Sequence, residues 1–190
     1  MDNRIIKAFE ESAEVKIRFA KENEERIRKA ANLIVSACRN GGKVMLFGNG
    51  GSSADASHIA GEFVNRFLKD RAPLPAIALN TDMAVLTSIG NDYDFSDIFV
   101  RQIKALGKEG DIVIAISTSG NSNNVLKGVM TAKEMNIKTI GLTGGTGGKL
   151  AGIVDYAFVV PTNKTPRIQE THITLGHILC ELIEEEIFGK

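Results

Sequence analysis

A three-layer αβα sandwich with a five-stranded parallel sheet, preceded by an N-terminal helical arm, is the fold this sequence predicts. Three observations predict it. Five short apolar runs rich in β-branched residues recur along the chain, as strands buried on both faces do. Helical stretches alternate with them, which implies right-handed crossovers and a parallel sheet. Residues 1–40, finally, hold 16 of the 46 charged side chains and no glycine or proline, whereas all 19 glycines fall in 41–190.

The elements follow in order. The arm reads as two helices. Ile5, Ile6, Phe9, Ala13, Ile17 and Ala20 keep rough helical spacing. Ile27, Ala30, Ala31, Ile34, Ala37 and Cys38 form a cleaner i, i+3, i+4 stripe, stopped by Asn40-Gly41-Gly42. Strands are expected at 44–47, 76–79, 112–116, 139–142 and 157–160. Helices are expected at about 52–68, 83–106 with an interruption near Gly90, 121–135, a short 147–153, and 166–188. At 190 residues the chain suits one domain, 1–190, made of the arm (1–40) and an α/β body (41–190).

Composition excludes several roles. Hydrophobic content of 43% with zero net charge belongs to a globular chain. No apolar run approaches the ~18 residues of a membrane span. Balanced charge, two tyrosines and no tryptophan give no footprint for nucleic acid. Cys38 and Cys180 sit among apolar residues as core fillers, consistent with a reducing cytoplasm.

Ligands of open parallel sheets bind at the carboxyl ends of strands. After the first strand comes Gly48-Asn49-Gly50-Gly51-Ser52-Ser53, and after the third Ser117-Thr118-Ser119-Gly120-Asn121-Ser122. After the fourth comes Thr143-Gly144-Gly145. Backbone N–H groups at a helix N-terminus, helped by hydroxyl donors, hold phosphate without a lysine, and the Ser117–Ser122 segment suits this. A nucleotide cofactor is not expected. The dinucleotide loop G-x-G-x-x-G fails at Ser53, and a Walker loop around Gly148-Lys149 fails at Thr143 and Leu150.

His58 and Glu62 stand four apart on the helix opened by Ser52 and share a face. Gln169 and His177 lie on the last helix, opposite its apolar side. Asn91 and Asp92 suit either a turn or a grip on sugar hydroxyls, and spacing leaves that open. His172 receives no role.

Together, Gly48–Ser52, His58 with Glu62, Gly90-Asn91-Asp92, Ser117–Ser122 and Arg167-Ile168-Gln169-Glu170 resemble the sugar isomerase (SIS) domain, and within it the phosphoheptose isomerases. The resemblance spans essentially the whole chain. It implies conversion of sedoheptulose 7-phosphate to D-glycero-D-manno-heptose 7-phosphate, towards the heptoses of bacterial surface lipopolysaccharide. It implies substrate contacts from Asn49, Gly50, Gly51, Ser52, Asn91, Asp92, Ser117, Thr118, Ser119, Ser122 and Gln169. It assigns Glu62 and His177 as the acid–base pair, with Glu62 also touching substrate. It implies zinc on His58, Glu62, Gln169 and His177, and a homotetramer with active sites near subunit interfaces.

The chemistry fits those residue types. Aldose–ketose exchange moves a proton between C1 and C2 through an enediol, which needs a base on carbon and a proton shuttle for the hydroxyls. Gln169 and His177 lie eight residues, about 12 Å, apart on a straight helix. An irregular helix start after Pro166, or a site between subunits, is therefore expected. The competing function is non-catalytic, a replication-initiator-binding relative or a sugar-phosphate sensor. The presence of both Glu62 and His177 favours the enzyme.

Overall fold

Burial of five apolar runs on both faces sets the architecture of the computed structural model, which describes residues 3–189. Met1 and Asp2 of the expected arm, and Lys190, lie outside the described residues. The strands Val44–Gly48 (β1), Ala76–Ala78 (β2), Ile112–Ile116 (β3), Lys138–Gly144 (β4) and Tyr156–Val160 (β5) run parallel in the order β2–β1–β3–β4–β5. β1 and β3 are buried throughout, with Leu46 opposite Ile114 and Ile114 opposite Ile140. Alternation divides their side chains between two layers. Val44, Leu46, Ile112, Ile114, Ile116, Ile140 and Phe158 pack under Arg4–Arg39 (α1), Gly51–Val64 (α2) and Thr165–Phe188 (α6). Met45, Phe47, Val113 and Ala115 pack under Met83–Asp92 (α3), Ile98–Leu106 (α4) and Asn123–Glu134 (α5).

Four expectations change. The arm is one helix of 36 residues, not two. No breaker interrupts Lys21–Glu25, and i,i+4 pairs Glu24–Arg28 (3.1 Å) and Glu25–Lys29 (2.7 Å) carry the helix through it. Its early residues Ile5, Ile6, Phe9 and Ile17 are exposed, while Val15, Phe19 and the stripe from Ile27 reach the core. The 83–106 helix breaks at Tyr93-Asp94, and Gly90 stays helical. Asp94 accepts from the Ser96 N–H at 2.7 Å and opens a 3₁₀ turn at Phe95–Asp97 instead. The short 147–153 helix is only a 3₁₀ turn, Leu150–Gly152. α2 stops at Val64 rather than 68, because Phe67, Leu68 and Lys69 give their N–H groups to the carboxylate of Glu184. Cys180 is buried, which pushes its thiol up to about 12, and Cys38 is half-buried.

The chain leaves β1 towards β2 and β3 towards β4, in opposite directions, so the sheet has its topological switch between β1 and β3. Ligands of open parallel sheets bind at the carboxyl ends of the strands beside such a switch.

Candidate active site

The loops at those two strand ends are the ones singled out by composition. In the loop after β1, Ser52 and Ser53 donate back to Asn49 O and Gly50 O at 3.0 Å and start α2. In the loop after β3, Ser117 Oγ meets Ser122 Oγ at 3.1 Å, and the Asn121 N–H donates to Ser119 Oγ at 3.2 Å. The N–H groups of Thr118, Ser119 and Ser122 donate to nothing among the described residues. They stand at the N-terminus of α5, where the dipole is positive. Such a turn suits an anion without a lysine.

Two parts of this turn were invisible in the sequence. Asn124, buried on the first turn of α5, exchanges two hydrogen bonds with Asn49, each amide donating to the other's oxygen at 2.9 Å. The pair ties the loop after β1 to the start of α5 and occupies the Asn49 side-chain amide. The glycine cluster in 141–152 also finds a use. Gly120 (φ +65) lies against Gly147 (φ +86), and a Cβ on Gly120 would stand 2.7 Å from the Gly147 carbonyl carbon. Gly148 in turn leaves no room for a Cβ beside Ser119 O, which would be 2.5 Å away. The second glycine cluster is the backing of the serine turn.

The ionisable cluster forms where α2 meets α6, with His58 and Glu62 seven and eleven residues beyond Gly51. His58 Nε2 lies 3.0 Å from Glu62 Oε1, and His177 Nε2 lies 3.3 Å from His58 Nε2. The three ligand atoms fall within 4.8 Å of one another. α6 reaches α2 this closely because residue 176 is glycine. A Cβ there would sit 2.7 Å from Ile59 Cγ1. Phe67 stacks on the His177 ring, centroids 5.5 Å apart at 27°.

The geometry suits a divalent metal. Ligands of tetrahedral zinc at about 2.0–2.2 Å stand roughly 3.3–3.5 Å from one another, close to the spacings found here. Two imidazole nitrogens facing each other beside a carboxylate oxygen are a donor set of the kind zinc takes.

Gln169 stands eight residues before His177 on α6. α6 begins regularly at Thr165, so no irregular start shortens its distance to His177. Its side-chain amide covers Gly51 at the N-terminus of α2, where a Cβ would overlap it. Asn91 and Asp92 end α3, exposed, and the Asn91 amide donates to Asp92 Oδ1 at 2.8 Å. Ser52 is buried under the β1 loop.

His172, given no role by its position in the sequence, is 1% exposed and donates from Nε2 to Thr143 O at 3.0 Å. It thus braces the end of β4 behind the glycine cluster. Burial lowers its pKa from 6.5 to about 4, against a smaller opposing effect of that hydrogen bond. Below pH 6.5 the unfolded chain therefore binds a proton that the folded one refuses. Stability from this group is complete above about pH 6.5 and drains away as the pH falls towards 4, by about 3 kcal/mol. Denaturant titrations at pH 7 and pH 4.5 are expected to show that difference, and His172→Gln to reduce it.

An open parallel sheet with a serine turn suited to an anion at its switch point, and a histidine–glutamate cluster on α2 and α6, suits a handler of small phosphorylated substrates. Comparison with known proteins narrows this. The SIS domain family matches residues 8–144. The phosphoheptose isomerase of Thermodesulfovibrio yellowstonii is 60% identical over 99% of this chain and 94% of its own length. That of Aquifex aeolicus is 54% identical over 98% of both chains. The solved phosphoheptose isomerase from Francisella tularensis superposes with a TM-score of 0.92 at 42% identity, covering 96% of this chain and 97% of that one. This chain belongs to the phosphoheptose isomerase family of SIS-domain proteins and is a phosphosugar isomerase.

Proposed function

We propose that the enzyme interconverts sedoheptulose 7-phosphate and D-glycero-D-manno-heptose 7-phosphate through an enediol, with Glu62 and His177 as its acid–base pair. The observation that carries this is the convergence of His58, Glu62 and His177 in a fold whose serine turn suits an anion. The phosphate rests on the N–H groups of Thr118, Ser119 and Ser122 and on the hydroxyls of Ser117, Thr118, Ser119 and Ser122. Remote binding of that group positions the reacting end of a seven-carbon sugar. Asn49, Gly50, Gly51, Ser52 and Gln169 line the β1 side, and Asn91 and Asp92 take up sugar hydroxyls.

Glu62 removes the proton from one carbon and returns it to the next, while His177 passes a proton between the O1 and O2 positions. His58, Glu62 and His177 would hold the zinc ion, with Gln169 as the family's fourth group. When bound, the metal polarises the carbonyl and stabilises the enediolate oxygen. A glutamate bound to zinc is a weaker base, so the two duties of Glu62 compete.

Exposed Ile5, Ile6, Phe9 and Ile17 on α1 support a homotetramer, with sites near subunit interfaces and chain 1–190 as the folding unit. The heptose product leads to surface lipopolysaccharide, and the enzyme works in the cytoplasm. The test is incubation with sedoheptulose 7-phosphate, with and without a chelator, reading the aldose product. Conversion that falls on chelation and returns with zinc is expected. A chain that leaves the ketose untouched in zinc would refute the proposal.

A further inference from the structure

On the reading of Glu62 and His177 as the acid–base pair, we infer that the buried Arg71–Glu184 ion pair is a positioning device for that pair. It registers α2, carrying His58 and Glu62, against α6, carrying His177, and it lays Phe67 on the His177 ring. Glu184 on α6 is 1% exposed. A buried carboxylate needs partners, and this one has four. The N–H groups of Phe67, Leu68 and Lys69 donate to it at 3.2, 2.9 and 2.8 Å, and Arg71 Nε at 3.0 Å. Burial works to raise its pKa, but these donors outweigh it and hold the carboxyl below its ordinary range.

Arg71, its side chain 3% exposed, spends its other donors on the end of α2. Nη2 donates to Glu62 O at 2.9 Å, and Nη1 to Phe63 O at 2.8 Å and Ala72 O at 3.0 Å. Last-turn carbonyls of a helix lack intrahelical partners, so the guanidinium caps α2 at the turn that carries Glu62. Glu184 lies seven residues beyond His177, two turns along the same side of α6. One ion pair thus grips both helices near their functional residues.

The same carboxylate folds residues 67–69 against α6, and this places the Phe67 ring. His177 is held face-on by Phe67 at 5.5 Å and edge-on by His58 at 5.0 Å and 68°. A ring confined on two sides keeps Nε2 aimed at His58 and Glu62. A buried ion pair adds little net stability over apolar packing. What it does specify here is which carbonyls and N–H groups stand where.

Phe67→Leu is the first test, because this half-buried loop residue can be truncated without opening the core. We expect kcat on sedoheptulose 7-phosphate to fall about tenfold, the size seen when supports of active-site ligands are removed, with KM within about twofold. In chelator-treated protein the His177 ring protons should shift in the NMR spectrum as the phenyl ring current is lost, and Phe67→Tyr should restore both readouts. Glu184→Gln should lower kcat further and also cost stability, since Arg71 is left unpaired. Wild-type kcat and unmoved His177 resonances in Phe67→Leu would overturn the inference. If the wild-type chain fails to turn over the heptose, the functional reading falls, and the resonance shift still decides the positioning.

Discussion

Glu62→Gln is expected to lower turnover of sedoheptulose 7-phosphate by about 10²–10⁴-fold, the range that one positioned acid–base group contributes. The amide keeps the side chain's volume and an oxygen that can still accept from His58 Nε2, now 3.0 Å from Glu62 Oε1. What it loses is the basic carboxylate. The serine turn follows β3, anchored by Ser117, Ser122 and the Asn49–Asn124 pair, none of which touches Glu62. Substrate binding by calorimetry and the thermal midpoint should therefore stay near wild type. Wild-type turnover in this variant would show that another group is the base.

Gly120→Ala attacks the other half of the site. Its φ of +65 costs an L-residue about 1–2 kcal/mol, before any collision. The new Cβ would also stand 2.7 Å from the Gly147 carbonyl carbon and 2.8 Å from Thr143 Oγ1. Both neighbours are fixed: Gly147 by its N–H to Gly144 O, and Thr143 within β4. The turn has to move, and with it the N–H groups of Thr118 and Ser119. We expect a loss of several kcal/mol in stability. Among molecules still folded, KM should rise at least tenfold while kcat changes less. Steady-state kinetics with denaturant titration checks this, and an unchanged KM would contradict the phosphate assignment.

The strands were legible because a strand buried on both faces leaves a continuous apolar run, as Val44–Phe47 and Ile112–Ile116 do. What escaped was set by distant partners. Nothing near Phe67 announces that Glu184, more than a hundred residues on, will take the N–H groups that would have extended α2. Two separate apolar stripes read as two helices, yet Glu24–Arg28 and Glu25–Lys29 supply local support that an apolar pattern ignores. In the site, His58 and Glu62 could be paired from their spacing alone. Their meeting with His177 depends on the close approach at Gly176, which no helical pattern shows. Asn124 looked like one more polar residue at a helix start, and its amide pair with Asn49 appears only when the two loops face each other. The second glycine cluster had no meaning until Gly147 and Gly148 were seen behind Gly120.

The most direct measurement is the isomerisation run in D₂O, with the hydrogen at C2 of the aldose product read by NMR. An enediol formed by a carboxylate base exchanges its proton with solvent, so deuterium at C2 is predicted, and Glu62→Gln should yield no labelled product. Product that carries no solvent deuterium at C2, or equal labelling by wild type and variant, would contradict the account.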